Sequence, residues 1–139
     1  MQATARDLDR QAFGPARAAL MQVDPRQEDA YWQRSHRRER YVRPGFDYED
    51  YAPAYCVGYI GYAQYGGAFD DAEPWLCANW ERIKGDSRLG LDDARLAMRS
   101  AWVRMARRAS NRAALIASVR LLRRWLRVPS FKLSPRLMR

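Results

Sequence analysis

The chain has 139 residues, 47% of them apolar and 12% aromatic, enough for one hydrophobic core and too much for a wholly disordered polypeptide. Its net charge of +9 is unevenly spread: residues 106–139 hold ten Lys/Arg and no Asp or Glu, while the first 105 residues hold fifteen basic and sixteen acidic side chains. Cys56 and Cys77 stand in no CxxC or metal-ligand spacing, which argues against a disulfide scaffold or a zinc site and for reduced thiols in a cytoplasmic protein.

The opening segment, residues 1–23, has acids at Asp7 and Asp9 and no apolar run, so it does not read as a secretory signal; partial order is expected there. Asp24-Pro25 marks a helix start. Asp is the N-cap, Pro takes the first helical position and Gln27 is the third-position partner. This helix is expected to reach about Glu39, with His36 on a solvated face. Residues 41–47 form an extended link, because Pro44-Gly45 breaks helix.

A tyrosine ladder follows at Tyr48, Tyr51, Tyr55, Tyr59, Tyr62 and Tyr65. Steps of three and four are those of one helix face. Pro53 is acceptable there only in the first turn. Gly58 and Gly61 each weaken the helix by about 1 kcal/mol relative to Ala, and close approach of a neighbouring helix is their expected use. Gly66-Gly67 ends it. The 18 uncharged residues from Ala52 to Phe69 approach a membrane-spanning length, but Pro53 and four glycines favour a buried helix. A base-stacking role for the tyrosines competes with a buried or half-buried face, and the buried face is preferred.

Asp70 with Glu73 reads as a capping box for a helix ending near Lys84-Gly85. Another helix starts near Leu91, with Asp92 and Asp93 favourable at its positive end. Ser110-Asn111 is placed to cap a last helix ending before Pro129, and the end beyond it, with two prolines, is expected to be frayed or extended. Ala72, Leu76, Trp80, Arg82 and Ile83 are echoed by Ala94, Met98, Trp102, Arg104 and Met105. Ala117, Leu121, Trp125, Arg127 and Val128 echo them again. The pattern predicts small–large–Trp faces that pack helix on helix, either as true repeats or as chance similarity among Arg-rich amphipathic helices.

The blocks YEDYAPAY at 48–55, FDDAEPWL at 69–76, NWERIKGDSRL at 79–89, DDAR at 92–95 and R-x-AW-x-R at 99–104 resemble those of a group of small bacterial helical proteins of unknown function. The resemblance implies an association with stress tolerance. The resemblance covers about residues 29–105 and implies a compact, cytoplasmic, mainly helical module. It carries over no catalytic or binding residue. Cys56, Ile60 and Tyr62 stand where that group is often charged, making this helix more apolar, and nothing after about Ala106 belongs to the resemblance.

No nucleophile–base pair, phosphate loop or dinucleotide motif is present. The expectation is a non-enzyme with no cofactor, no metal and no evident small-molecule substrate. The acid pairs Asp70-Asp71 and Asp92-Asp93 read as helix-start charge. The basic end is the candidate site. At 100° per residue, Arg112, Arg120, Arg123, Arg124 and Arg127 share an arc of roughly 120°, opposite a broad apolar face. Arg107, Arg108 and these five are the candidate contacts to an anionic surface. Leu122, Trp125 and Leu126 are the candidate membrane or groove anchors.

Three partners fit this segment: an anionic membrane surface, nucleic acid, or a protein groove or second copy. A purely structural last helix with solvated arginines is the fourth reading. The predicted fold is an all-α bundle of four to five short helices. A helical body at 24–105 carries a basic C-terminal extension at 106–139 with an amphipathic helix. The expected location is cytoplasmic, peripheral to the inner face of the membrane in the membrane reading.

Overall fold

The computed structural model describes residues 23–126, and among these there are four α-helices and no strand. They are α1 (Pro25–Ser35), α2 (Tyr48–Tyr65), α3 (Phe69–Ile83) and α4 (Leu91–Leu126), with a 3-10 turn at His36–Arg38. The expectations for residues 1–22 and 127–139 lie outside the described residues. The chain divides into two compact units, residues 1–107 and 108–139.

The first unit is the helical body. Asp24 caps α1 as expected, its Oδ1 accepting the backbone N–H groups of Arg26 at 3.0 Å and Gln27 at 3.4 Å. The capping box, however, stands at α2, not at Asp70-Glu73. Asp47 accepts from the third-position backbone, and Asp50 accepts the Asp47 N–H at 3.0 Å. Helix α3 starts on Ala68 without a side-chain cap, which leaves Asp70 to pair with Arg99 at 2.6 Å and Glu73 to pair with Arg95. Pro53 lies inside α2, at its sixth residue, rather than in the first turn. Gly66, at φ +60°, donates its N–H to the Tyr62 carbonyl and ends α2 where the sequence indicated.

The core is aromatic. Tyr51, Tyr55 and Tyr59 are buried, Tyr48 and Tyr62 are half-buried, and Tyr65 is exposed, so the ladder is a core face and not a stacking platform. Tyr55 stacks on Trp32, with ring centres 4.2 Å apart and planes 9° from parallel. Its hydroxyl pairs with that of Tyr41 at 2.8 Å, and Tyr51 accepts the Arg43 backbone N–H at 3.0 Å. Hydroxyl tips at the core edge thus find partners while the rings stay dry.

Helix α4 closes this core through its first turns. Trp102 meets Tyr62 and Phe69 edge-on and donates its indole N–H to the Gly67 carbonyl at 3.2 Å. Ala94, Ala97, Met98 and Ala101 are fully buried. At Gly58 an added Cβ would lie 2.7 Å from Ala101 Cβ and closer still to the Met98 carbonyl oxygen, so the glycine is what lets α2 and α4 approach. Trp80 and Trp102 belong to one buried cluster, as the small–large–Trp pattern requires.

Two charged groups hold the body from inside. Glu28 is 1% exposed and accepts from Arg104 Nε at 2.9 Å. Asp50 is 5% exposed and receives the backbone N–H and the guanidinium of Arg88. Those hydrogen bonds hold its carboxyl down at about 2, against an ordinary 3.8. His36 is also buried, contrary to the solvated face expected for it. Its Nδ1 lies 3.2 Å from the carbonyls of Trp32 and Gln33, and its ring leans on Tyr48 and Tyr51.

Candidate functional site

Helix α4 runs unbroken for 36 residues, and Ser110-Asn111 neither interrupts it nor caps a separate helix. Propensity explains why. Ser and Asn cost only a few tenths of a kcal/mol inside a helix, and the flanking Ala, Leu and Arg are among the best helix formers. A weak cap signal cannot interrupt such a run.

Within the second unit, residues 108–126 are helical throughout, and every residue from Ala109 to Leu126 is exposed. Arg120, Arg123 and Arg124 therefore stand in water on the face that the spacing assigns to them. Arg108 is half-buried, Arg112 is exposed, and both have interactions of their own. Arg127 lies outside the described residues. Arg107 belongs to the first unit and lines a groove of the body.

The apolar face is bare. Leu115, Leu121, Leu122, Trp125 and Leu126 are each between 58% and 75% exposed. This exposure divides the Ala–Leu–Trp echo. Ala72, Leu76, Trp80 and Ala94, Met98, Trp102 are buried, whereas Ala117, Leu121 and Trp125 are exposed. Arg82 and Ile83 are exposed where Arg104 is half-buried and Met105 buried, so even the first two copies agree only in their Ala–Leu/Met–Trp part. Ser118 donates its hydroxyl to the Ala114 carbonyl at 2.9 Å and so adds no unsatisfied polar group to the segment.

Chemically, the segment combines a row of guanidinium groups with a stripe of leucines beside it and one indole. Leu115, Val119, Leu122 and Leu126 recur at four, three and four residues, which makes one continuous stripe. Trp125 sits on its border. Such a surface can enter an apolar–anionic boundary with both faces satisfied.

The titratable groups of the body, among the described residues, are mostly engaged or shielded. Among the described residues no group of three or more His, Cys, Asp or Glu could hold a metal ion. Both cysteines are free thiols. Asp70 and Asp93 are occupied by Arg99 and Arg43. Burial raises the Tyr41, Tyr48, Tyr55 and Tyr59 phenols, so all four remain neutral donors at neutral pH. Among the described residues no helix is long and apolar enough to cross a membrane.

One feature of the body escaped sequence reasoning. The body looked electrically balanced, yet its charges separate in space. Five arginines line a single groove of about 550 Å³. They come from 38–40 and from 99–107, so no local run of charge announces them. The spacing of Leu96, Arg99, Val103 and Arg107 along one helix face was the available signal. No protein-family profile, curated protein or solved structure matches the chain.

Proposed function

We propose that this chain is a non-enzymatic helical interaction module whose basic C-terminal helix lies on an anionic membrane surface. One observation carries the reading: the bare apolar face of residues 115–126, opposite Arg120, Arg123 and Arg124. Nucleic-acid phosphates would satisfy the arginines and leave the leucines and Trp125 in water. A membrane interface satisfies both, with leucines and indole among acyl chains and guanidinium groups at the phosphates.

Apolar insertion supplies most of the affinity at about 1.5–3 kcal/mol for a fully buried Leu, and each arginine near an anionic surface adds about 1 kcal/mol. This reading places the protein in the cytoplasm, peripheral to the inner face of the membrane. The resemblance of residues 29–105 to small bacterial helical proteins fits a compact carrier for such a helix.

The test is sedimentation of the full chain with vesicles of phosphatidylglycerol and phosphatidylcholine, set against pure phosphatidylcholine and against duplex DNA. Binding to the anionic vesicles is expected, with a blue shift of tryptophan emission. Trp125→Ala should weaken it by roughly ten- to thirtyfold, equivalent to about 2 kcal/mol of lost insertion. Tight, salt-sensitive binding to duplex DNA that Trp125→Ala leaves intact would overturn the membrane reading. A chain that ignores vesicles and instead dimerises through Leu122, Trp125 and Leu126 would overturn it in favour of self-association.

A further inference from the structure

We infer that the arginine-lined groove of the body is a binding site for a small organic phosphate carrying at least two negative charges. The inference is independent of the membrane reading, because the groove lies wholly within residues 31–107. Its volume of about 550 Å³ falls within the usual range for small-molecule sites. One wall is a single face of α4, with Leu96, Arg99, Ser100, Val103, Arg104 and Arg107 at helical spacing. The other wall is the turn that carries Arg38, Arg40 and Tyr41.

The charges in the groove are of two kinds. Arg99 and Arg104 are engaged, with Asp70 at 2.6 Å and with the buried Glu28 at 2.9 Å. The Arg104 guanidinium also lies 3.4 Å from the centre of the Tyr31 ring, which fixes its plane. Arg38, Arg40 and Arg107 have no ion-pair or hydrogen-bond partner among the described residues. Among the described residues Glu39 is the only acid on the lining. A protein surface seldom gathers three unneutralised guanidinium groups in one concavity, since their mutual repulsion costs energy that an anion removes. Guanidinium forks match phosphate oxygens in pairs, which favours phosphate over a halide or a single carboxylate.

A second observation is a polar group left unmatched. Trp32 lines the groove, is 2% exposed, and its Nε1 makes no hydrogen bond. A buried indole N–H without an acceptor costs about 1–3 kcal/mol. Leu96 and Val103, exposed on the same wall, suit the organic part of the ligand. Bare inorganic phosphate would leave them in water. The predicted occupant is therefore a diphosphate or a phosphate ester with an apolar or aromatic group.

The experiment titrates the full chain with adenosine diphosphate, inorganic pyrophosphate, adenosine and dihexanoyl phosphatidic acid, read by calorimetry and tryptophan fluorescence. Adenosine diphosphate should bind at micromolar to low millimolar levels, more tightly than pyrophosphate, and adenosine not at all. Arg40→Ala with Arg107→Ala should weaken binding by roughly tenfold or more. Because both side chains are exposed, the double variant should melt within a few degrees of the parent, which keeps the loss interpretable. Trp125→Ala should leave the titration unchanged, separating this site from the C-terminal helix.

Tighter binding of dihexanoyl phosphatidic acid than of adenosine diphosphate, still dependent on Arg40 and Arg107, would identify the source as a lipid headgroup. The reverse order would identify it as a soluble phosphate. No binding of any phosphate at millimolar concentration, binding indifferent to Arg40 and Arg107, or adenosine binding as well as its diphosphate would each overturn the assignment.

Discussion

Replacing Gly58 by alanine sets two effects of opposite sign against each other. In an isolated helix the change would stabilise by about 1 kcal/mol, since Gly is among the poorest helix formers. In this fold the new methyl would stand 2.7 Å from Ala101 Cβ and nearer still to the Met98 carbonyl oxygen. Neither obstacle is the flexible end of a side chain. Met98 offers backbone and Ala101 has only one methyl, so α2 and α4 must move apart. Overpacking of this kind costs about 1–3 kcal/mol, and a backbone obstacle belongs at the upper end.

The net expectation for Gly58→Ala is a loss of about 1–2 kcal/mol, which for a domain near 100 residues lowers the melting temperature by roughly 4–8 °C per kcal/mol. Thermal and urea unfolding followed by circular dichroism measure it directly. Gly61→Ala is the paired control. There the methyl meets Leu76 Cδ2, a side-chain tip, although a fully buried one. Its cost should be smaller, since a tip can turn where a carbonyl cannot. A Gly58→Ala protein as stable as the parent, or more stable, would refute the close approach of the two helices.

Two further predictions concern the buried charges. Asp50 titrates lower in the folded chain than in the unfolded one, at about 2 against 3.8, so its contribution is complete above pH 4 and is lost as the pH falls toward 2. Melting curves from pH 5 to pH 2 should show Asp50→Asn less stable than the parent at pH 5, the gap closing toward pH 2; a constant gap would mean that the carboxylate charge is irrelevant. Arg104→Leu removes the guanidinium that Glu28 accepts from at 2.9 Å and should cost about 1.5–3 kcal/mol in urea unfolding, with Glu28→Gln milder because the amide oxygen can still accept.

Much of the body can be read from local chemistry. Asp24-Pro25, Gly66-Gly67 and the three-four spacing of the tyrosines each act within a turn or two of chain, and each occurs as read. The expected use of Gly58 also holds, because a glycine amid large side chains in a helix leaves few explanations besides close packing. Features that depend on distant residues escaped. His36 lies in a run of arginines, yet it is buried, with the rings of Tyr48 and Tyr51 from α2 against it. The capping box at Asp47-Asp50 has an Asp where the usual pattern has Glu or Gln, so Asp70-Glu73 looked the better match. The groove joins arginines about sixty positions apart, which no window along the chain brings together.

The two apolar faces of α4 show what packing adds to pattern. Trp102 and Trp125 sit in the same local grammar, with Ala eight residues and Met or Leu four residues before each. One indole is 2% exposed and the other 75%. The sequence context of each tryptophan does not decide this; the opposing surface does. Trp102 has Tyr62 and Phe69 against it. At Trp125 the surroundings on the same helix are Leu121, Leu122 and Leu126, all equally bare. If contact with phosphates were all the segment needed, its arginines would work as well on a polar helix. The presence of the leucines beside the arginines favours a partner that is apolar and anionic at one boundary. Replacing Leu122 and Leu126 by glutamine keeps every positive charge and helix former, so it should abolish vesicle binding while leaving helicity by circular dichroism unchanged. Retained binding would show that the charges alone suffice, and the membrane reading would fail on that result.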